Sequence, residues 1–193
     1  NWSISQVGPN EVVVEEAMPE QVAMLAKKHN CRTISYTYNE PVIWFEYVLD
    51  TAREARKRAV LNVLVTNGYA TEETLKQLST CIDAANVDIK SFNPEFYSKY
   101  CQSKLDDVLN AIKIMVKENR WHVEVTYLII PNLNDREEEY HKVSRWVLEE
   151  LGPDIPFHFS RFHPMYKMSH LESTPIDSVV RAREIALGEG LCY

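Results

Sequence analysis

The sequence is poor in glycine, proline and basic residues, and each shortage excludes a class of protein. Only 5 of its 193 residues are glycine and 9 are proline, too few for a fibrous repeat or a disordered chain. The 28 acidic residues outnumber the 21 basic ones, for a net charge of −7, so the clustered Lys and Arg of a nucleic-acid-binding protein are missing. No run approaches the ~20 apolar residues of a membrane span, and no secretory signal opens the chain. We therefore expect neither a nucleic-acid partner nor a membrane partner.

The four cysteines lie far apart, at Cys31, Cys81, Cys101 and Cys192. They form no C-x-x-C pair, so neither a zinc knuckle nor a self-contained cluster motif is present. They are typical of reduced thiols in a cytoplasmic protein. We expect most of them to be ordinary core or surface residues, and we expect no metal ligand in this chain.

Short apolar segments alternate with helical patterns along the whole chain. Strands are predicted over residues 33–38, 61–65, 85–89, 123–130 and 157–159. Helices are predicted over residues 19–30, 42–59, 105–118, 135–151 and 175–187, with further helix starts at Thr71 and Asn93. Such alternation predicts an α/β fold with a parallel sheet, in one domain over residues 1–193. A doubly wound sheet and a barrel, whole or partial, both fit, and both carry function at the carboxyl ends of their strands.

Polar side chains cluster at those predicted strand ends, as a small-molecule site requires. Each group also has a simpler interpretation. The Asn-Glu-Pro of residues 39–41 is also typical of a helix start, and the Thr-Asn-Gly of residues 66–68 of a tight turn. Asp88 and Lys90 point the same way on a strand and also suit a structural ion pair. His158 and His163 lack the carboxylate partner that would indicate a metal site.

Six segments, which cover nearly the whole chain, form a recognisable set when taken in order: residues 1–6, 35–41, 65–69, 86–92, 130–135 and 158–164. Together they resemble the radical SAM superfamily, and within it the enzymes related to pyruvate formate-lyase activase. The closest resemblance is to the radical SAM proteins named for the AmmeMemoRadiSam system. Their cluster cysteines, in a C-x-x-x-C-x-x-C array, are followed by a Gln-Asn-Trp-x-Ile-Ser-Gln stretch, whose tail matches Asn-Trp-Ser-Ile-Ser-Gln here.

The resemblance implies a partial (β/α)6 TIM-like barrel that uses S-adenosylmethionine (SAM) and a [4Fe-4S] cluster. The enzymes of this family cleave SAM reductively to a 5′-deoxyadenosyl radical, which abstracts a hydrogen atom. The activase-like similarity implies a protein substrate, such as a glycyl radical enzyme that is activated at a glycine. It also implies a low-potential electron donor such as flavodoxin or ferredoxin.

The resemblance also implies which residues bind SAM. Asn39, Glu40 and Pro41 stand where the family's Gly-Gly-Glu motif contacts the methionyl ammonium, although Tyr38 and Asn39 replace its glycines. The resemblance assigns the remaining candidates to particular parts of SAM. Asn67 and Asp88 are expected to contact its amino acid group or ribose, and Lys90 its carboxylate. Thr126 is expected to contact the ribose, and the three residues of the last strand are expected to contact adenosine or substrate: His158, Arg161 and His163.

The chain departs from the family at the cluster. It contains neither the three clustered cysteines nor the strand that precedes them, and three clustered thiolates are needed to hold the cluster. We expect those cysteines just before Asn1, so that the first strand and cluster loop are missing and this span alone is inactive. Two other hypotheses stay open. One is a clusterless barrel that binds SAM or a partner without redox activity, and the other is a metal-dependent hydrolase that uses His158 and His163.

Overall fold

The computed structural model describes residues 2–8, 11 and 15–193. Asn1, which opens the first of the six matching segments, lies outside this part of the chain. The helices are α1 (Trp2–Ser5), α2 (Pro19–Lys28), α3 (Phe45–Arg56), α4 (Glu72–Leu78), α5 (Pro94–Phe96), α6 (Leu105–Lys113), α7 (Glu137–Glu150) and α8 (Ile176–Glu189). The strands are β1 (Thr33–Tyr36), β2 (Leu61–Thr66), β3 (Ala84–Ile89), β4 (His122–Ile129) and β5 (Phe157–Arg161).

The five strands form one parallel sheet in the order β1-β2-β3-β4-β5. Each strand therefore pairs with its neighbour in the sequence, and the order never reverses. A doubly wound sheet has such a reversal, and ligands bind there. The sequential order is that of a barrel wall, so the predicted partial barrel with parallel strands is confirmed and the doubly wound alternative is wrong.

The two faces of the sheet differ in burial. Burial alternates along β2, β3 and β4, so that every second side chain is buried. The buried side chains, such as Leu64, Val87 and Val125, pack with Val48 of α3 and Val143 of α7 in the main core. The side chains between them lie on the other face and are half-buried or exposed. We call this second surface the open face; it corresponds to the inside of a barrel.

The predicted elements differ from the observed ones mainly at their ends. The first strand ends at Tyr36, two residues early. The helix predicted from residue 42 begins as a 3-10 turn over Pro41–Trp44 before α3 starts. The helix predicted over residues 105–118 is α-helical to Lys113 and π-helical over Ile114–Glu118. Such short irregular turns depend on tertiary packing, which periodicity does not report.

Candidate functional site

Three of the predicted site residues lie side by side on the open face. The register pairs Asp88 of β3 with Thr126 of β4, and Thr126 with His158 of β5. Neighbouring strands lie about 4.8 Å apart, so the row spans roughly 10 Å. Asn67 directly follows β2 and continues the row toward the first strand. The sheet therefore brings these four polar side chains to one level.

Asp88 and Lys90 form a half-buried ion pair. The Nζ atom of Lys90 lies 2.6 Å from Oδ2 of Asp88, and their side chains are 33% and 30% exposed. The backbone of Lys90 is also held, because its N–H donates to the hydroxyl of Tyr97 and its carbonyl accepts from Nδ2 of Asn134. The ion pair that the sequence suggested is therefore present. Because both side chains are about one-third exposed, a ligand can still reach them.

Glu40 lies buried between the ends of β1 and β2. Its Oε1 accepts hydrogen bonds from the hydroxyl of Thr66 at 2.7 Å and from the N–H of Val42 at 3.1 Å. Its Oε2 accepts from the N–H of Asn67 at 2.7 Å. The carboxylate thus joins two strand ends, and it also caps the 3-10 turn that starts at Pro41. Asn39, just before it, is exposed.

The segment after β2 is the tight turn that its Thr-Asn-Gly sequence suggests. Gly68 has φ +73°, and a Cβ atom there would lie 2.8 Å from Cγ1 of Val87. Oδ1 of Asn67 accepts from the N–H of Tyr69 at 2.9 Å, and the residue is exposed. The turn borders a hollow of 240 Å³ that is also lined by Lys90 and Cys101. Asn67 and Lys90, two of the predicted SAM residues, therefore share one hollow.

The three predicted residues of the last strand do not share one position. Arg161 is the last residue of β5, and its Nε donates to the carbonyl of Thr174 at 2.6 Å. His163 follows two residues later and is exposed. His158 is instead the second residue of β5, and the register places it level with Thr126 and Asp88.

Sequence reasoning places Glu124 on the fourth strand without assigning it a partner, and it does not assign Asn134. Oε2 of Glu124 lies 3.0 Å from Nε2 of His158 on the open face. Asn134 is fully buried, donates to the carbonyls of Lys90 and Leu128, and accepts from the N–H of Ile130. The alternation of β4 could have indicated Glu124, because residues two apart on a strand point to the same face and Thr126 was already a candidate. The Pro-Asn-Leu-Asn-Asp segment, residues 131–135, could have indicated Asn134.

A groove of 780 Å³ lies elsewhere. It runs between the start of α2 and the outer face of α3, and its lining includes Glu20, Arg53 and Lys57. These side chains carry mixed charges and are already linked to one another or to neighbours in surface ion pairs. None of the predicted site residues lines it, and we attach no function to it.

The two expected cofactors fit this chain differently. Within the described residues, no three His, Cys, Asp or Glu side chains come together in a way that could hold a metal ion. The four cysteines are free and dispersed, and Cys81 is buried, so the described residues do not fit an iron–sulfur cluster. The same finding removes the support for a hydrolase metal site at His158 and His163. SAM fits the open face better, because a carboxylate, an ammonium and a hydroxyl suit its zwitterion and diol.

Comparison with protein families places the chain in a known group. The model of the Radical SAM superfamily matches residues 1–143. The chain therefore belongs to the Radical SAM superfamily, a family of enzymes whose members generally use SAM and a [4Fe-4S] cluster. No helix in the described part of the chain is both long and apolar enough to cross a membrane.

The curated relatives are longer than this chain. An uncharacterized protein of Methanocaldococcus jannaschii is 45% identical over 193 residues, which is 100% of this chain and 57% of the relative. The (2S)-3-sulfopropanediol dehydratase activating enzyme of Klebsiella oxytoca is 24% identical over 63% of this chain and 38% of its own length. The 4-hydroxyphenylacetate decarboxylase activating enzyme of Clostridium scatologenes is 20% identical over 75% of this chain and 53% of its own length. The chain spans about half the length of the curated relatives that it matches.

Solved structures share the fold. A domain of pyruvate-formate lyase-activating enzyme from Bacteroides vulgatus aligns with a TM-score of 0.70 at 16% identity, over 82% of this chain and 94% of that domain. Streptococcus suis SuiB bound to S-adenosylmethionine aligns with a TM-score of 0.70 at 10% identity, over 92% of this chain and 42% of SuiB. At such identities the likeness shows the radical SAM barrel fold alone.

Proposed function

We propose that this chain is the SAM-binding barrel of a radical SAM enzyme. In the full-length protein, SAM would be cleaved reductively at a [4Fe-4S] cluster to a 5′-deoxyadenosyl radical that abstracts a hydrogen atom. The observation that carries the proposal is the row of Asp88, Thr126 and His158 on the open face, with Lys90 beside it, in a chain of this superfamily. We also propose that residues 1–193 form a single barrel domain, which the continuous five-stranded sheet supports.

The polar groups of the row suit different parts of SAM. Lys90 is a cation for the methionyl carboxylate, and Asp88 is an anion for the methionyl ammonium or an acceptor for ribose hydroxyls. Thr126 supplies a hydroxyl at the same level, and Asn67 borders the hollow beside Lys90.

The strand-end residues complete the proposed site. Asn39 and Pro41 flank Glu40, whose buried carboxylate keeps the ends of β1 and β2 together. We assign Glu40 to positioning, because its oxygens already accept three hydrogen bonds from protein donors. Arg161 ends β5 and His163 follows it by two residues, and we propose that both contact adenosine or substrate.

The cluster itself would be held by residues outside this sequence. The dispersed cysteines and the absence of a metal-binding group in the described residues support that placement. The protein's own share of the chemistry is then to bind and orient SAM on the open face and to shield the radical from solvent, while the cofactors carry the radical chemistry.

We propose that the substrate is a protein of the glycyl radical enzyme class. Two relatives are named activating enzymes, one for a dehydratase and one for a decarboxylase. Their identity to this chain is low, and a fold does not define a substrate. For this activity we propose flavodoxin or ferredoxin as the electron donor.

A second candidate is a barrel that binds SAM or a partner without redox chemistry. The observation that favours it is the lack of a cluster site in the described residues. It keeps the SAM site and omits the cleavage step, so one experiment separates the two candidates.

That experiment uses the full-length protein, reconstituted anaerobically with iron and sulfide. It is incubated with SAM and dithionite, and 5′-deoxyadenosine and methionine are quantified by liquid chromatography. The proposal predicts both products in equal amounts, and none when dithionite is omitted. SAM binding without either product would favour the second candidate, and neither binding nor cleavage would overturn both.

A further inference from the structure

Glu139 of α7 is a half-buried carboxylate beside the carboxyl ends of β3 and β4. Its Oε1 accepts three hydrogen bonds. One comes from the hydroxyl of Ser91, one from the N–H of Phe92 at 2.7 Å, and one from the hydroxyl of Tyr127 at 2.7 Å. The first two donors follow β3 and the third belongs to β4, so one oxygen atom connects a helix to two strand ends.

Tyr127 links Glu139 to Asn134. Its side chain is fully buried and lies on the covered face of β4, whereas the neighbouring Thr126 lies on the open face. Its hydroxyl lies within hydrogen-bond distance both of Glu139 and of the carbonyl of Asn134, at 3.0 Å from the latter. Burial, and secondly the charge of Glu139, raises the pKa of Tyr127. The phenol therefore keeps its proton, and the carboxylate is the acceptor of this network.

The network surrounds the backbone of Lys90. Its N–H donates to the hydroxyl of Tyr97 at 3.0 Å, and its carbonyl accepts from Nδ2 of Asn134 at 2.7 Å. The next residue, Ser91, is fully buried and donates to Glu139. The peptide groups on both sides of Lys90 are therefore fixed by partners in the protein, while its side chain remains one-third exposed.

A fixed backbone favours binding of a ligand to the side chain that it carries. Binding costs less free energy when the contacting residue is already held in the bound geometry. Lys90 is the residue that we assign to the methionyl carboxylate of SAM. If the bonds from Ser91 and Phe92 to Glu139 are lost, the segment after β3 gains freedom and Lys90 is less well placed. The loss would affect the contact to the carboxylate and not the contacts to adenosine.

We propose that Glu139 is a positioning residue, which holds the segment after β3 so that Lys90 is directed at the carboxylate of SAM. The proposal rests on the proposed function, since it takes SAM as the ligand of the open face. It adds a residue of α7, from the covered side of the sheet, to the residues on which the SAM site depends. The charge of Glu139 matters because a carboxylate accepts hydrogen bonds more strongly than a neutral amide does.

The first test compares SAM with decarboxylated SAM, which lacks the carboxylate, in calorimetric titrations of the full-length protein. Glu139→Gln should raise the Kd for SAM about tenfold and the Kd for decarboxylated SAM less than about twofold. Glu138→Gln, at the exposed neighbouring position of α7, is the matched control and should bind both ligands as the wild type does. A purely structural role of Glu139 would weaken both ligands equally, and that result would overturn the proposal.

A double-mutant cycle tests whether Glu139 acts through Lys90. Lys90→Met removes the ammonium, so adding Glu139→Gln to it should change the Kd for SAM by less than about twofold. A further tenfold loss would overturn the proposal.

Ser91→Ala removes one of the three donors and keeps the test valid if Glu139→Gln does not fold, which thermal unfolding reveals. It should raise the Kd for SAM about threefold and leave that for decarboxylated SAM unchanged. Wild-type affinity of Ser91→Ala for SAM would contradict the proposal.

Hydrogen exchange without SAM separates this proposal from the proposed function. The N–H of Phe92 donates to Glu139, so residues 90–93 should exchange about tenfold faster in Glu139→Gln, and residues 61–66 of β2 should exchange as in the wild type. Unchanged exchange over residues 90–93 would overturn the proposal. If that exchange rises but the wild type never binds SAM, the holding of this segment by Glu139 is supported and the proposed function is contradicted.

Discussion

Oε2 of Glu40 accepts a hydrogen bond from the backbone N–H of Asn67 at 2.7 Å, across 27 residues of sequence. Oε1 of the same carboxylate accepts from the hydroxyl of Thr66 at 2.7 Å. A single buried side chain thereby fixes where β1 and β2 end relative to each other. Asn67 belongs to the proposed SAM site, so the geometry of that site depends on Glu40.

Glu40→Ala should lower the free energy of unfolding by about 3 kcal/mol, because it leaves buried donors of Thr66 and Asn67 without an acceptor. Urea unfolding of the full-length protein measures the loss. Glu46→Ala, at an exposed position in the first turn of α3, is the control and should change the stability by less than about 0.5 kcal/mol. Equal effects of the two substitutions would show that the Glu40 carboxylate is not structural.

Gly68→Ala should destabilise the protein, whereas Gly188→Ala should not. Gly68 has φ +73°, and an added Cβ would lie 2.8 Å from Val87 and 3.1 Å from Val108. We expect a loss of about 2–3 kcal/mol from strain and overpacking. Gly188 lies within α8 with no atom within 4 Å of an added Cβ, so alanine there should stabilise by about 0.5–1 kcal/mol. Thermal unfolding measures the change in stability of each variant. A change of the same sign in both would contradict the strained turn at Gly68.

Asn134→Ala should weaken both folding and SAM binding. Its side chain holds the carbonyls of Lys90 and Leu128 and the N–H of Ile130, and its removal should cost about 3 kcal/mol. The Kd for SAM should rise because Lys90 loses one of its supports. Asn110→Ala, at an exposed position of α6, is the control. Unchanged SAM affinity in a destabilised Asn134→Ala protein would show that Asn134 does not position Lys90.

A pH-dependent contact joins α7 and α8. The hydrogen bonds from Arg145, and secondly from His141, bring the pKa of Glu189 down to about 2 from 4.5. Because the folded-state pKa is the lower one, the unfolded chain takes up the proton first as the pH falls. The stabilisation is therefore complete above pH 4.5 and is lost as the pH falls toward 2.

Glu189→Gln should accordingly be less stable than the wild type at pH 7 and equally stable near pH 2. Urea unfolding at several pH values measures the difference. Glu172→Gln, at an exposed carboxyl in the loop before α8, should show no such pH-dependent difference. A stability difference for Glu189→Gln that does not shrink on acidification would contradict the ion-pair assignment.

Local sequence rules predicted the parts of the site that depend on neighbouring residues. The alternation of β3 placed Asp88 and Lys90 on one side, and the structure shows them in contact. The Thr-Asn-Gly pattern predicted the turn at Gly68, whose φ is positive. These features follow from strand geometry and from the freedom of glycine, so they need no knowledge of the fold.

The features that sequence reasoning missed depend on register and on distant partners. His158 lies level with Thr126 and Asp88 because Phe157 pairs with Val125, and no local pattern reports that register. Glu40 accepts from Thr66, 26 residues away in sequence, and Asn134 donates to the carbonyl of Lys90, 44 residues away. Such contacts arise only once the sheet has formed, and periodicity carries no information about them.

The most direct test of the central claim is a calorimetric titration of SAM into the full-length protein and its Asp88→Asn variant. The account predicts saturable binding to one site, and about tenfold weaker binding by the variant, because a charge-assisted hydrogen bond is lost. Asp106→Asn, at an exposed carboxyl in the first turn of α6, should bind SAM as the wild type does. No binding by the wild type, or equal affinity of wild type and Asp88→Asn, would contradict a SAM site on the open face.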